Sequence, residues 1–128
     1  MTPPFRVKEK TFALYKAVLV DENGSPVPVA QLTTLTLTLY NADVAEPSPA
    51  TGNIINSRNA QNVLNVNNVT VDSGGNVAWS VQDVDNIIVD QTKATELHIA
   101  RFDFTYGTPV KPGRHEVRLR VENLRKLS

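Results

Sequence analysis

Two stretches near the C-terminus alternate apolar with polar residues, and a loop rich in glycine and proline separates them. In residues 114–122, Val117, Leu119 and Val121 alternate with charged residues. A two-residue repeat is typical of a β-strand with one buried and one wet face. The same repeat in residues 96–106 places these residues on one face: Ala100, Phe102, Phe104 and Tyr106. The pair predicts an antiparallel hairpin, which is marginal alone, so the rest of the chain must cover its apolar face.

Shorter segments with strand character precede this hairpin. They are residues 11–21, 33–40, 63–65, 69–72 and 77–81. In the clearest of them Leu35, Leu37 and Leu39 are expected to point inward, and Thr34, Thr36 and Thr38 outward. Trp79, the single tryptophan, is expected to anchor the core. With about seven strands and no long helical period, the chain predicts an all-β, immunoglobulin-like two-sheet antiparallel sandwich; a jelly roll or small barrel is the alternative.

The 128 residues suit one domain with a substantial core. Two prolines and mixed charge in residues 1–10 predict an extended N-terminal arm, loose or laid along a neighbouring subunit. Residues 11–122 form the predicted sandwich, and residues 123–128 a short basic tail with two leucines. Residues 82–95 are a polar connection whose Ile-Ile-Val centre, residues 87–89, is expected to touch the core.

Composition excludes several classes of function. Lys plus Arg and Asp plus Glu number 13 each, so no net charge attracts nucleic acid or an acidic membrane. No segment reaches the roughly 18–20 apolar residues of a membrane span, and the N-terminus lacks a signal-peptide core. The absence of cysteine removes disulfides and thiolate sites and fits a protein made inside a cell.

Asparagine recurs every third residue from position 53 to position 68, a period that fits neither helix nor strand. One interpretation is a stacked asparagine ladder or a rim that lines a ligand. The other is a succession of turns and short strands, because asparagine tolerates left-handed backbone and caps turns. The second interpretation is favoured.

Few residues suggest catalytic or metal chemistry. Asp83, Asp85 and Asp90 lie close in sequence and could offer oxygen ligands to calcium, although loop aspartates also cap turns. His98 and His115 lie in predicted strands and are expected to be packed there. Because no nucleophile elbow, phosphate loop or zinc spacing occurs, the sequence predicts no enzyme and no cofactor.

Several stretches resemble small virion proteins of tailed bacteriophages. They are residues 55–65, 70–72, 83–90, 96–105 and 113–124, and the likeness spans roughly residues 11–124. The proteins it resembles are immunoglobulin-like β-sandwiches from the capsid and head–tail region. The resemblance implies a non-enzymatic structural protein, made in the host bacterial cytoplasm, that decorates or cements the capsid or sits at the neck.

The partners implied are other virion proteins and copies of the chain itself, as a homo-oligomer in the assembly, with no nucleic acid and no membrane. Contacts are expected in the arm, the asparagine-rich segment and the tail. The residues named for them are Pro3, Pro4, Phe5, Asn56, Asn59, Asn62, Leu124 and Leu127. The alternative is a carbohydrate- or receptor-binding sandwich of a tail or adhesin assembly, although such modules usually expose aromatic residues that here fall on core-facing positions.

Overall fold

The structure is a computed structural model that describes residues 4–45 and 47–124. Eight strands occur in these residues: β1 (Phe5–Lys8), β2 (Ala13–Val18), β3 (Leu32–Asn41), β4 (Gln61–Asn62), β5 (Val69–Val71), β6 (Asn76–Val81), β7 (Thr95–Tyr106) and β8 (Lys111–Glu122). Short 3-10 helices lie at Val29–Gln31, Thr51–Asn53 and Asp83–Asp85. The prediction of an all-β fold is confirmed.

The strands form two sheets around one hydrophobic core. The larger sheet has the order β1-β8-β7-β3-β4, and the smaller has the order β2-β6-β5. The rings of Trp79 on β6 and Phe102 on β7 meet edge to face, with 5.8 Å between centroids, and so join the two sheets. Trp79 is fully buried, as expected of a core anchor.

The predicted hairpin is the longest paired unit of the fold. β7 and β8 pair antiparallel along their whole lengths, from Thr95 opposite Glu122 to Tyr106 opposite Lys111. Every second residue of β7 is buried, because that face lies against the smaller sheet. Four of these residues are the predicted apolar face, and the other two are the polar residues Glu96 and His98.

Within the predicted arm of residues 1–10, Phe5–Lys8 form a strand of the larger sheet, and residues 1–3 lie outside the described residues. β1 pairs parallel with β8, with Phe5 opposite Leu119 and Val7 opposite Val121. Val7 is 5% exposed because its side chain joins the core. The expectation of an antiparallel sandwich is therefore wrong for this pair of strands, which are parallel. Asn123, the first residue of the predicted tail, is buried, and residues 125–128 lie outside the described residues.

The other strands lie close to the positions predicted from the sequence, with local differences. Leu35, Leu37 and Leu39 of β3 are fully buried as predicted. Thr38 was expected outside but is buried, because its hydroxyl accepts a hydrogen bond from the backbone N–H of Ala60, which lies over that face. The short strand predicted at residues 63–65 lies instead at β4. In the connection between β6 and β7, the core contact is confirmed at one buried residue, Ile88.

Candidate functional site

The three aspartates weighed as calcium ligands do not form one site. Asp85 is buried and bound to Arg58, with 2.7 Å between Arg58 Nε and Asp85 Oδ1. Asp90 caps its own turn, where its Oδ1 accepts hydrogen bonds from the hydroxyl and N–H of Thr92, and these bonds lower the pKa of Asp90. Asp83 Oδ1 accepts from the N–H of Val84. Across residues 4–45 and 47–124, no group of three or more His, Cys, Asp or Glu residues could hold a metal ion.

Arg58 organises the asparagine-rich segment. Its guanidinium donates to both carboxylate oxygens of Asp85, to Gln61 Oε1, to the Asn67 carbonyl and to Asn68 Oδ1. These five bonds use all five N–H donors of an arginine, so the charge is buried without a missing partner. The guanidinium carbon also lies 5.9 Å from the centroid of the Trp79 ring, within cation–π range.

The asparagines around Arg58 make turns, which confirms the interpretation favoured from the sequence. The backbone φ angle is positive at Asn56, Asn65, Asn67 and Asn68, in the left-handed region that asparagine tolerates. The side-chain amide N–H of Asn56 donates to Asp85 Oδ1, so this predicted contact residue has a hydrogen-bond partner within the protein.

The other predicted contact residues lie in different places. Phe5 packs edge to face on Tyr15, with 5.4 Å between the rings. Asn62 is exposed, and its Oδ1 accepts from the N–H of Leu64. Asn59 and Leu124 are exposed, and Pro4 is half-buried. Pro3 and Leu127 lie outside the described residues.

Glu96 and His98 form a buried pair on the inner face of β7. Both side chains are 0% exposed, and 2.7 Å separates Glu96 Oε1 from His98 Nε2. Burial acts to raise the pKa of Glu96, but hydrogen bonds from His98 and from the N–H groups of Val89 and Asp90 outweigh it and lower that pKa. The pair therefore fastens the connection between β6 and β7 to the sheet and lies out of reach of a substrate.

The second histidine joins the two sheets. His115 Nε2 on β8 lies 2.6 Å from the hydroxyl of Tyr15 on β2, and the two rings stack at 6.0 Å. Burial lowers the pKa of His115 and raises the pKa of Tyr15. Both histidines are packed strand residues, as the sequence predicted.

The most exposed apolar surface follows β2, an edge strand of the smaller sheet. Side chains at alternate positions remain in solvent: Phe12 is 68%, Leu14 52%, Val18 41% and Val20 45% exposed. Lys16 lies in the middle of this row and is exposed as well. We call residues 12, 14, 16, 18 and 20 the β2 row.

A groove of about 550 Å³ lies beside the β2 row on the outer face of the smaller sheet. Its lining includes Lys16, Val18, Thr70, Asp72 and Asn76. This surface was not predicted from the sequence, although the pattern of apolar residues indicates it. Residues 11–21 are apolar at both sets of alternate positions, and a two-layer fold buries only one of them.

Within residues 4–45 and 47–124, no helix is both long and apolar enough to span a membrane. Comparison of the chain with protein-family models, with curated proteins and with solved structures finds no match.

Proposed function

We propose that this chain is a non-enzymatic structural protein of a phage particle, in which it decorates or cements the capsid or sits at the head–tail neck. The observation that carries the proposal is the β2 row, an apolar row on an open sheet edge. Contiguous exposed apolar surface marks interaction sites, and an open edge strand offers backbone groups that can pair with another chain. Both features suit a subunit that packs among neighbours.

The contacts of the titratable residues support a structural role. The carboxylate of Asp85 is hydrogen-bonded to Arg58. The carboxylate of Glu96 is hydrogen-bonded to His98 and to two backbone N–H groups. Each of these groups therefore holds one segment of the chain against another. A catalytic acid or base must reach the proton it transfers, and these buried side chains are enclosed by the protein itself.

We assign the two sheets to an immunoglobulin-like sandwich. The support is the arrangement of two sheets on one core, with Trp79 of the smaller sheet packed against Phe102 of the larger. The parallel pairing of β1 with β8 is a departure at one edge from the antiparallel pattern of such sandwiches.

The alternative, a carbohydrate- or receptor-binding module, receives less support. Such modules usually expose two or three aromatic rings on one face. Here Trp79, Phe102, Phe104 and Tyr106 are buried, while Phe12 is the exposed aromatic side chain of the β2 row. One exposed ring among aliphatic neighbours fits a protein partner better than a sugar.

The test is quantitative mass spectrometry of density-purified particles from the source lysate. Hundreds of copies per particle are expected of a capsid decoration protein, and about a dozen of a neck or tail protein. Absence from the particles would overturn the proposal. Leu14→Lys should reduce incorporation because it places a charge on the β2 row, while Thr33→Lys, an exposed change on β3 in the larger sheet, should not.

A further inference from the structure

We propose that β2 pairs antiparallel with β2 of a second copy of this chain, about a two-fold axis through Lys16, to form one continuous six-stranded sheet. The inference rests on the proposed function, because it names the partner that binds at the β2 row. It is carried by three observations: the direction of the free backbone groups, the symmetry of the row, and the character of the other sheet edges.

The backbone groups of the β2 row point away from the sheet. The backbone N–H of Ser80 on β6 donates to the carbonyl of Asn68, which lies on the β5 side of the strand. Successive residues of a strand direct their backbone groups to opposite sides, so those of the neighbouring Trp79 point towards β2. Trp79 faces Tyr15 in the register, which makes the odd-numbered residues of β2 the ones that bond β6. Leu14, Lys16 and Val18 therefore direct N–H and C=O groups to the open edge.

This edge is unoccupied in the described part of the chain, where β2 is the last strand of its sheet. The same three residues that direct their backbone groups outward also expose their side chains. An approaching strand would thus gain a ladder of backbone hydrogen bonds together with apolar contacts on the outer face of the sheet.

The β2 row is symmetric about Lys16. Apolar residues lie two and four positions away on both sides, Leu14 and Phe12 on one and Val18 and Val20 on the other. An antiparallel two-fold pair centred on Lys16 places Leu14 opposite the partner's Val18 and Phe12 opposite the partner's Val20. Each apolar side chain then meets an apolar side chain, which is the self-complementarity that a two-fold interface requires.

The charged residues beyond the row do not take part in this register. Lys10 lies in a turn with a positive φ angle, and Glu22, also in a turn, already pairs with Lys111. The unfavourable pair is Lys16 with the partner's Lys16. Lysine at an edge opposes pairing, but a lysine side chain is long enough for the two ammonium groups to separate in solvent.

The other sheet edges are less suited to self-pairing. β1 exposes Arg6 and Lys8, so two copies of this strand would bring like charges together. β4 has two residues, and β5 has three with Thr70 alone exposed. Of the edges in the described residues, β2 therefore combines length, open backbone groups and an apolar row.

Disulfide cross-linking tests the register, because the chain has no cysteine of its own. In the proposed pair the two copies of residue 16 form a hydrogen-bonded pair, whose Cα atoms lie about 5.5 Å apart, within disulfide reach. Lys16→Cys should form a covalent dimer in oxidised glutathione much faster than Ser80→Cys, an exposed position on the same face in the central strand β6. Equal rates for the two variants would overturn the proposal.

A second measurement uses proteins without cysteine. Sedimentation equilibrium of the wild type should show a concentration-dependent dimer. Lys16→Pro should be monomeric, because proline removes an N–H that faces the open edge, and Lys16→Thr should dimerise more tightly than wild type. Circular dichroism confirms that each variant is folded.

The outcome for self-pairing is separable from the outcome for the proposed function. A wild type that is monomeric at every concentration overturns the self-pairing. If Lys16→Pro then also fails to enter particles, the β2 row binds a different virion protein and the proposed function stands. If the wild type itself is absent from particles, the proposed function fails whatever its oligomeric state.

Discussion

Arg58 and Asp85 form a side-on ion pair inside the protein, with Nε to Oδ1 at 2.7 Å and Nη2 to Oδ2 at 3.1 Å. Their side chains are 2% and 0% exposed. The pair joins the asparagine-rich segment to the 3-10 helix at Asp83–Asp85, where the N–H of Gln82 also donates to Asp85. One buried pair therefore joins two segments that lie mostly in turns, outside the long strands of the sheets.

Arg58→Met should destabilise the protein by about 3–5 kcal/mol, because it leaves the carboxylate of Asp85 buried without its counter-charge. The change is measured by urea unfolding followed through Trp79 fluorescence. Arg58→Lys should also be strongly destabilising, since a lysine cannot supply the two-pronged contact.

The matched control for the buried pair is the exposed pair of Lys111 and Glu22, whose side chains are 47% and 49% exposed. Lys111→Met should leave the unfolding midpoint almost unchanged because solvent screens that pair. Similar losses for Arg58→Met and Lys111→Met would contradict the assignment of Arg58 as the organising residue.

Gly113→Ala should destabilise the hairpin by about 1–3 kcal/mol through overpacking. Phe104 lies directly opposite Gly113 in the register. A Cβ atom at residue 113 would come within 2.4 Å of the Phe104 ring. At Gly52 an added Cβ atom meets nothing within 4 Å, so Gly52→Ala is the control and should leave stability nearly unchanged. Thermal unfolding of both variants makes the comparison, and a neutral Gly113→Ala would refute the close packing.

Glu96→Gln should loosen the connection between β6 and β7. Its carboxylate oxygens accept from the N–H groups of Val89 and Asp90 at 2.8 and 2.9 Å, and an amide cannot accept equally through both of its polar atoms. Amide hydrogen exchange at Val89 and Asp90 should accelerate, while exchange in the centre of β7 should change little. Unchanged protection of these two amides would show that other contacts hold the connection.

The strands that could be predicted are those whose pattern is local. Leu35, Leu37 and Leu39 alternate within one segment, so burial of one face follows from the period alone. β1 was missed because it is four residues long and pairs with a strand more than a hundred positions away. No local pattern encodes a parallel pairing of that range.

The buried ion pair was missed for a related reason. Asp85 appeared as one of several loop aspartates, and its partner lies 27 positions away. A signal did exist: Arg58 is the single charged residue between Glu46 and Asp72. An isolated charge in a long uncharged segment has no neighbour in sequence to pair with, so a distant partner could have been expected. The apolar residues of the β2 row are apparent in the sequence too. Alternation alone, however, does not show which of two apolar faces of a strand is exposed to solvent.

Stability should fall as the pH is lowered from about 7.5 to about 5.5, because of His115. Burial lowers the pKa of His115 below its ordinary value of 6.5, so the unfolded chain binds the proton more readily than the folded chain. The free energy of unfolding is therefore highest above pH 6.5, the ordinary pKa of histidine, and it declines as the pH falls from there towards the lowered pKa of His115. Glu96, whose pKa is lowered from 4.5, loses its contribution only in more acidic solution.

In His115→Phe, the free energy of unfolding measured with urea should decline less across this pH range. This variant keeps a ring between Tyr15 and Phe102 but cannot titrate. Tyr15→Phe is the matched variant. It removes the hydroxyl that contacts His115 while retaining the histidine and a ring beside it, so the decline should persist. If His115→Phe kept the full decline, a different group would have to bind the proton, and the burial of His115 between the sheets could not be its cause.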